Sequence, residues 1–232
     1  MTGTIVNVAT VLVGSSLGLM FRHRLSQKVV AVVFQGIGLF TLVLGVSMFL
    51  RSQWFLVVIL SLVFGATVGS VLDLEEKTER FSQRLKRSFK FREERFTEGL
   101  VTAFLMFCMG SLTILGAVEE GMGNGPELLI TKSILDGFSS MALAAALGSG
   151  VILSVVPLFL FQGTLTLLSM WLGNFFVDSM IDALTATGGV LLVGLGINIL
   201  NLAKIKVIDL LPALLFVLLF GWMKYQNFLP FV

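Results

Sequence analysis

The hydrophobic pattern of this 232-residue chain is a series of long apolar runs separated by short charged clusters. Runs without Asp, Glu, Lys or Arg are long enough to form membrane-crossing helices, which need about 20 apolar residues each. The pattern therefore predicts an all-α polytopic membrane protein with about eight transmembrane helices. Their predicted bounds are roughly 3–21, 29–50, 54–72, 99–118, 129–148, 151–172, 180–202 and 207–224.

The fifth span is the most informative of the eight. The uncharged stretch 137–177 is too long for one helix, and Gly148-Ser149-Gly150 is the natural place to divide it. This division leaves only about a dozen residues on the N-terminal side, too few to cross a bilayer. The fifth span must therefore begin near residue 129, which places Lys132 and Asp136 inside the membrane.

Basic residues predict the orientation, because they are enriched in loops on the cytoplasmic side. With eight spans, thirteen of the sixteen Lys and Arg residues fall on one side, in segments 22–28, 73–98 and 204–206. This distribution predicts both termini outside and the large charged loop in the cytoplasm. A rival interpretation makes 129–148 re-entrant, which would move segment 204–206 to the outside.

Composition agrees with a surface that faces lipid. Charged residues make up 13% of the chain and the mean hydropathy is +0.97, whereas soluble domains carry about 25% charged residues. The 24 glycines suit close packing of membrane helices, and the single cysteine cannot form an intrachain disulfide. The first apolar run lacks a preceding basic segment, so it is predicted to be a retained helix. The predicted partner of most of the surface is the lipid bilayer.

Segment 73–98 holds half of the charged residues, eight basic and seven acidic. One face of a helix would carry Leu74, Thr78, Phe81, Leu85 and Phe89. The spacing predicts an amphipathic cytoplasmic helix on the inner leaflet. The near balance of charges argues against a nucleic-acid partner, because such binding requires net positive charge.

Spans two and seven share a glycine pattern that indicates an internal repeat. The matched positions are Gly38 with Gly189 and Gly45 with Gly196. Units that begin five spans apart point in opposite directions, and inverted repeats with sites near the midplane are the plan of many secondary transporters. The predicted organisation is one membrane domain, 1–232, with repeat one at 1–72, the amphipathic segment 73–98, two central helices at 99–148 and repeat two at 151–225. Under the re-entrant interpretation the repeats would be parallel.

Polar residues inside the predicted spans form the candidate site. Lys132 and Asp136 are four residues apart, so they share a helix face and can pair. Two interpretations stay open: a substrate or proton site, or an interfacial lysine beside a structural carboxylate. The candidate substrate- or ion-binding residues are Lys132, Ser133, Asp136, Ser139, Ser140, Gln162, Thr164 and Gln35.

Local features add expectations about how these helices are shaped. An unwound turn at Asp136-Gly137 would offer carbonyl groups to an ion, and Pro157 is expected to kink span six. Asn7 lies nearer a span end, where a capping or interhelical hydrogen bond is expected. Glu120 is expected in an outer loop, and His23 reads as a surface residue.

Sequence motifs for metal or cofactor chemistry are not found. The chain contains no metal-ligand cluster, Walker loop, nucleophile elbow or dinucleotide fingerprint. No catalytic residue, metal or cofactor is therefore predicted, and the protein is not expected to be an enzyme.

Three strings carry a family resemblance: Glu98-Gly99-Leu100-Val101-Thr102-Ala103, Thr131-Lys132-Ser133-Ile134-Leu135-Asp136-Gly137-Phe138-Ser139-Ser140 and Phe161-Gln162-Gly163. On these residues the chain resembles the uncharacterised bacterial membrane proteins of the YdfK and YqgA type, grouped under a domain of unknown function. Phe104 stands where the family pattern has a threonine. The resemblance covers nearly the whole chain and implies a multi-pass protein of the bacterial inner membrane, but no substrate.

Two classes of function stay open at this point. The first is a secondary transporter or channel-like carrier of a small ion or polar solute, and so small a scaffold favours a homodimer. The second is a non-transporting scaffold or sensor with segment 73–98 as its interaction surface. A polar cavity beside Asp136 and Gln162 would favour the first class, and full satisfaction of those groups by interhelical bonds the second.

Overall fold

The computed structural model describes residues 1–22, 27–80, 96–108, 111–172 and 177–226, and these residues form helices and turns without a strand. The helices in chain order are α1 Thr2–Arg22, α2 Gln27–Phe49, α3 Phe55–Val71, α4 Leu74–Arg80, α5 Phe96–Cys108, α6 Ser111–Gly121, α7 Glu127–Leu147, α8 Gly150–Leu153, α9 Val155–Leu172, α10 Asp178–Ile199, α11 Val207–Leu210 and α12 Ala213–Tyr225. The predicted all-helical class is confirmed for these residues.

Five to seven membrane spans follow from helix length and composition. The five clear ones are Thr2–Arg22, Glu127–Leu147, Gly150–Trp171, Asp178–Ile199 and Val207–Tyr225. Two more arise if bent pairs count as single spans: α3 with α4, bent by 54°, and α5 with α6, bent by 59°. Within α2, Gln35–Phe49 forms a shorter apolar helix. The polytopic membrane architecture is confirmed, and the exact count of eight stays a prediction.

The break predicted at Gly148 is confirmed, because α7 ends at Leu147 and Gly148 has a φ of +89°. A second interruption falls at Ser154, between α8 and α9. Pro157 has no backbone N–H, so the carbonyl oxygen of Leu153 lacks the helical hydrogen bond that it would accept from position 157. This missing bond accounts for the interruption next to Leu153. Residues 150–171 nevertheless still qualify together as one span.

Contacts divide the chain into two compact units. Unit 1 comprises Met1–Ile37 and Ser82–Asn174, and α1 with α7 is its most extensive helix pairing among the described residues. Three glycines of α1 meet α7 in this order: Gly3 at Leu129, Gly14 at Gly137 and Gly18 at Met141. A Cβ atom on Gly14 would lie 2.1 Å from the Gly137 carbonyl oxygen, so only glycine permits this approach. The contacts advance in the same direction along both helices, which therefore run parallel.

Glu120 lies within α6 rather than in an outer loop, which corrects the sequence expectation. Its side chain is 7% exposed and lies 2.9 Å from the amino group of Met1. The backbone N–H of Gly3 also donates to it at 3.0 Å. These two partners, both at Oε1, offset part of the cost of burying the carboxylate, although Oε2 has no hydrogen-bond partner among the described residues.

Unit 2 comprises Gly38–Phe81 and Phe175–Val232. Within it, the C-terminal part of α2 packs against α10, and the closest approaches are Gly45 with Gly189 and Gly38 with Gly196. Helix α3 meets α11 and α12 at Gly69 with Asp209 and at Gly65 with Ala213. In both pairings the residue numbers rise along one helix as they fall along the other, so the paired helices run antiparallel.

Glu75 and Asp209 join α4 to α11 by reciprocal hydrogen bonds. The backbone N–H of Glu75 donates to Asp209 Oδ1 at 2.8 Å, and that of Ile208 donates to Glu75 Oε2 at 3.2 Å. Burial raises the pKa of Glu75, against the lowering effect of the Ile208 N–H; the Asp209 carboxylate raises it further. Two helix ends thus satisfy their free amides with carboxylates.

The predicted amphipathic segment is described only at its two ends. Leu74 and Thr78 are half-buried on α4, as is Glu75, whereas the charged residues at 76, 77, 79 and 80 are exposed. Phe81, Leu85 and Phe89 lie outside the described residues, as does His23.

Apolar side chains cover much of the outer surface of both units. Phe138 is 70% exposed in unit 1, and Leu215 is 73% exposed in unit 2. A soluble protein rarely leaves so many large apolar side chains in water. The predicted contact of this surface with lipid accords with the membrane spans.

Candidate functional site

A buried ion pair lies in the middle of α7. Lys132 Nζ is 2.5 Å from Asp136 Oδ2, and the two side chains are 8% and 7% exposed. Because the ammonium group is buried, the interpretation of Lys132 as an interfacial lysine is wrong. Helix α7 is also continuous from Glu127 to Leu147, so the unwound turn expected at Asp136-Gly137 is wrong too.

The open backbone carbonyl belongs instead to Phe107, near the end of α5. In a continuing helix this oxygen would accept a hydrogen bond from the N–H of residue 111. Here it accepts from Lys132 Nζ at 2.9 Å and from Thr113 Oγ1 at 2.7 Å. The C-terminal end of a helix carries partial negative charge, which favours a cation at this position. The site therefore includes one end of a broken helix.

Two buried amide side chains extend the site to α1 and α9. Asn7 Nδ2 donates to Asp136 Oδ2 at 3.1 Å and to Gln162 Oε1 at 3.3 Å. Both residues have no exposed surface. Asn7 Oδ1 and Gln162 Nε2 are buried without a hydrogen-bond partner among the described residues. Unpaired buried polar atoms cost free energy, so the cluster is chemically incomplete as it stands.

Of the eight predicted site residues, the cluster brings together Lys132, Asp136 and Gln162. The hydroxyls of Ser133 and Ser140 donate hydrogen bonds to carbonyls of their own helix, those of Leu129 and Gly137. The remaining three predicted residues point elsewhere. Ser139 is half-buried, whereas Thr164 and Gln35 are exposed.

Asn7, Thr113 and the carbonyl of Phe107 belong to the cluster but were not among the predicted site residues. Asn7 was expected to make a capping or interhelical bond, and it does bridge helices. Its place at the centre depends on the parallel packing of α1 on α7, which brings together residues 129 positions apart. Sequence spacing carries no signal for such a contact.

Cys108 is a further neighbour of the ion pair. Its side chain is fully buried, and it interacts electrostatically with both Lys132 and Asp136. A buried thiol thus lies within the electrostatic influence of both charges.

An apolar groove of about 380 Å³ runs along the outside of the α1–α7 pairing. Its lining includes Thr10, Gly14, Ser133 and Phe138. Ser133 adjoins the ion pair on α7, but the lining of this groove is apolar, as a lipid-facing surface would be. The groove is therefore not the polar cavity that would complete the site.

Comparisons with known proteins agree with the sequence resemblance. The family model described as "Protein of unknown function (DUF554)" matches residues 2–222. The chain is 32% identical over 219 residues to the "Uncharacterized membrane protein YdfK" of Bacillus subtilis, covering 93% of each chain. It is 29% identical over 218 residues to the "Uncharacterized protein YqgA" of Escherichia coli, covering 92% of this chain and 93% of that one. No solved structure matches significantly.

Proposed function

Because the chain belongs to the DUF554 family, whose description assigns no activity, we propose from its site that it is a secondary transporter or channel-like carrier. The cargo is a small ion or polar solute, and the site is the cluster of Lys132, Asp136, Asn7 and Gln162. Under this proposal the protein lies in the bacterial inner membrane with both termini outside. One of its relatives, YdfK, is described as a membrane protein.

The incomplete buried cluster is the observation that carries this proposal. Charged side chains inside a membrane bundle are costly and rare, and they mark ion or substrate pathways and proton relays. A purely structural pair would be expected to satisfy its surroundings. Asn7 Oδ1 and Gln162 Nε2 instead keep an acceptor and a donor free beside it.

The contacts of α2 with α10 support the inverted repeat that transport by rocking would use. Under the sequence match, Gly38 corresponds to Gly189 and Gly45 to Gly196. The observed neighbours are Gly38 with Gly196 and Gly45 with Gly189, so each contact is the image of the other under this exchange. A twofold axis in the membrane plane produces such reciprocal pairs.

Flux through proteoliposomes tests the proposal. We expect the reconstituted wild-type chain to move at least one of sodium, potassium, protons, chloride or a small neutral solute, read by electrical currents and osmotic swelling. Asp136→Asn keeps the shape of the side chain but removes its charge, and it should reduce flux to that of protein-free liposomes. Gln162→Leu removes an amide without touching the ion pair and should also impair flux.

Thr164→Val is the matched control, because Thr164 is exposed on the same helix as Gln162. It should leave flux unchanged. Undiminished flux in Asp136→Asn would show that the carboxylate is structural. Absence of wild-type flux for every solute would favour the scaffold or sensor, with segment 73–98 as its interaction surface.

A further inference from the structure

We infer that a row of buried polar atoms along the first turns of α1 is the entry path of the cargo, and that the cargo is a small uncharged solute that both donates and accepts hydrogen bonds. This inference rests on the proposed transport function and names the class of its cargo. The row consists of four atoms without a hydrogen-bond partner among the described residues: Glu120 Oε2, Thr4 Oγ1, Asn7 Oδ1 and Gln162 Nε2.

The carboxylate of Glu120 forms the end of the row nearest the start of α1. Its Oε1 accepts from the backbone N–H of Gly3 at 3.0 Å and lies 2.9 Å from the amino group of Met1, whereas its Oε2 is unpaired. Thr4 follows Gly3 directly and has no exposed surface. The Thr4 hydroxyl and the Glu120 carboxylate thus lie at the same turn of α1, which is on the outer side under the proposed topology.

The pair of buried amides forms the inner end of the row. Asn7 is three residues beyond Thr4, so the two side chains share a face of α1. Asn7 Nδ2 lies 3.3 Å from Gln162 Oε1. At the next position of α9, a Cβ atom on Gly163 would lie 3.4 Å from Met1 Cε. Helix α9 therefore runs beside α1 from Met1 to Asn7, and Thr4 lies between these two contacts.

The orientations of the two amides follow from the carboxylate of Asp136. An ionised carboxylate only accepts hydrogen bonds, so Asn7 must turn Nδ2 toward Asp136 Oδ2, 3.1 Å away. The same nitrogen donates to Gln162 Oε1, which leaves Gln162 Nε2 facing elsewhere. A free acceptor and a free donor therefore lie beside the ion pair while every existing hydrogen bond is kept.

The chemistry of the four unpaired atoms selects the class of cargo. The oxygens of Glu120 and Asn7 accept hydrogen bonds. Gln162 Nε2 donates, and the Thr4 hydroxyl does both. A metal cation would pair with the oxygens but not with the amide nitrogen, and a halide would do the reverse. A polyol or a small amide can pair with both kinds, and each bond removes the cost of an unpaired buried polar atom.

Charge balance favours the same class. Lys132 and Asp136 form a neutral pair, and the ammonium also donates to the Phe107 carbonyl at 2.9 Å. An ion added beside this pair would leave a net charge in an apolar bundle. An uncharged solute leaves the pair and its hydrogen bonds as they are.

Ser15 provides a matched control on the same helix. It has no exposed surface, as Thr4 has none, but its hydroxyl donates to the carbonyl of Val11. A small polar side chain is thus equally buried on α1 and lies outside the row.

Alkylation of the purified full chain tests the path, in a Cys108→Ser background that carries Thr4→Cys or Ser15→Cys. The probe is iodoacetamide, an uncharged amide, and iodoacetate is an anion of similar size. A buried thiol reacts only while its position is open, so we expect iodoacetamide to modify Thr4→Cys about tenfold faster than Ser15→Cys. With rates taken relative to free cysteine, iodoacetate should react with Thr4→Cys much more slowly than iodoacetamide does.

Swelling of proteoliposomes tests the cargo. We expect liposomes that carry the wild type to swell in isotonic glycerol or urea and to pass no current in sodium or potassium chloride. Treatment with iodoacetamide should block swelling with Thr4→Cys, compared with the same variant before treatment. Ser15→Cys should swell equally before and after treatment.

Equal alkylation of Thr4→Cys and Ser15→Cys would overturn the path, as would swelling that modification of Thr4→Cys leaves intact. Equal relative rates for iodoacetate and iodoacetamide, or any ionic current, would overturn the uncharged class of cargo, and the current would preserve the transport function. Faster modification of Thr4→Cys with neither swelling nor current would support the path and refute transport.

Discussion

Lys132 and Asp136 each place a charge where burial alone would be expensive, and each reduces the cost for the other. A buried ion pair adds little net stability compared with apolar residues of similar size. Breaking it leaves one uncompensated charge, which is strongly unfavourable. The pair is therefore poor evidence of a stability device and better evidence of a retained function.

Single substitutions of the pair should be more harmful to stability than the double substitution. Lys132→Met and Asp136→Leu alone should each destabilise by about 3–5 kcal/mol, whereas the double variant should recover most of that loss. Unfolding in detergent, followed in a double-mutant cycle, measures the coupling. Additive losses of stability would contradict the predicted coupling between the two side chains. Flux should stay absent in the double variant.

Glu75 provides a pH test in the charged segment 73–98, beyond the end of α3 at Val71. Burial raises its pKa, so its contribution to stability is present at acid pH and is lost as the pH rises through the raised value. Glu75→Gln stays neutral and should be more stable than the wild type at about pH 8, with the difference shrinking toward about pH 4. Thermal unfolding across that range measures the effect.

Glu76, on the same helix, provides the opposite control. Its hydrogen bond to Arg80 lowers its pKa. Its favourable contribution is therefore present at neutral pH and is lost on acidification, so Glu76→Gln should cause a small loss at neutral pH. Equal behaviour of the two variants would show that neither carboxylate senses its surroundings.

At the residue scale, sequence length alone placed Lys132 and Asp136 in the bilayer, because a span needs enough residues to cross. It did not place Asn7 beside them. A contact between α1 and α7 depends on how two distant helices pack, and the apolar pattern of α1 is the same on whichever side its partner lies. Gln35 and Thr164 are predicted site residues because they are polar and lie within predicted spans, but both are exposed.

Helices α5 and α6 show what the hydrophobic pattern predicts at the scale of elements. The run 99–118 reads as one span because it carries neither a charge nor a proline. The structure divides it into two helices with directions that differ by 59°. Partners from other helices, above all Lys132, stabilise the end of α5. The sequence of the run does not predict these partners, because they lie elsewhere in the chain. The break at Gly148, by contrast, can be predicted from the local glycine and serine residues.

Glycines at helix contacts should differ sharply from glycines in open space. A Cβ on Gly45 would lie 2.5 Å from the Gly189 carbonyl oxygen, whereas one on Gly36, also on α2, meets nothing within 4 Å. Gly45→Ala should destabilise by about 1–3 kcal/mol, because the two helices must separate. Gly36→Ala should cause no loss, because alanine is the better helix former. Equal unfolding temperatures for the two variants would contradict the packing.

At the scale of the whole molecule, the units do not follow the order of the predicted repeats. Unit 1 combines α1 with α5 to α9, and unit 2 combines α3 with α10 to α12, while α2 contributes to both. The order of the helices along the chain does not predict which of them pack together in each unit. The repeat match concerns which helices correspond, and packing decides which helices touch.

The direction of helix pairs bears on the number of crossings. Helices α2 and α10 are antiparallel, as the second and seventh of eight spans must be. If α7 were re-entrant, α10 would be the sixth span and would run parallel to α2. The antiparallel contact is the one that eight spans require, and the count itself stays a prediction that labelling can test.

Cysteine accessibility should place the two loops on opposite faces of the membrane. In a Cys108→Ser background, Asn124→Cys should react with an impermeant maleimide from outside intact cells, and Lys204→Cys should react only after the membrane is opened. Both positions lie in short connections between helices. Reaction of both from the same side would support the re-entrant interpretation and remove the basis of the inverted repeat.

Cys108, the single cysteine of the chain, is buried one residue beyond the carbonyl that holds Lys132. A carrier that alternates between faces must admit water to this pair once in each cycle. Water and a small thiol reagent would then reach Cys108 together, and a closed molecule would protect it. The rate at which the native protein is alkylated, and from which face, would therefore time the cycle without any engineered label.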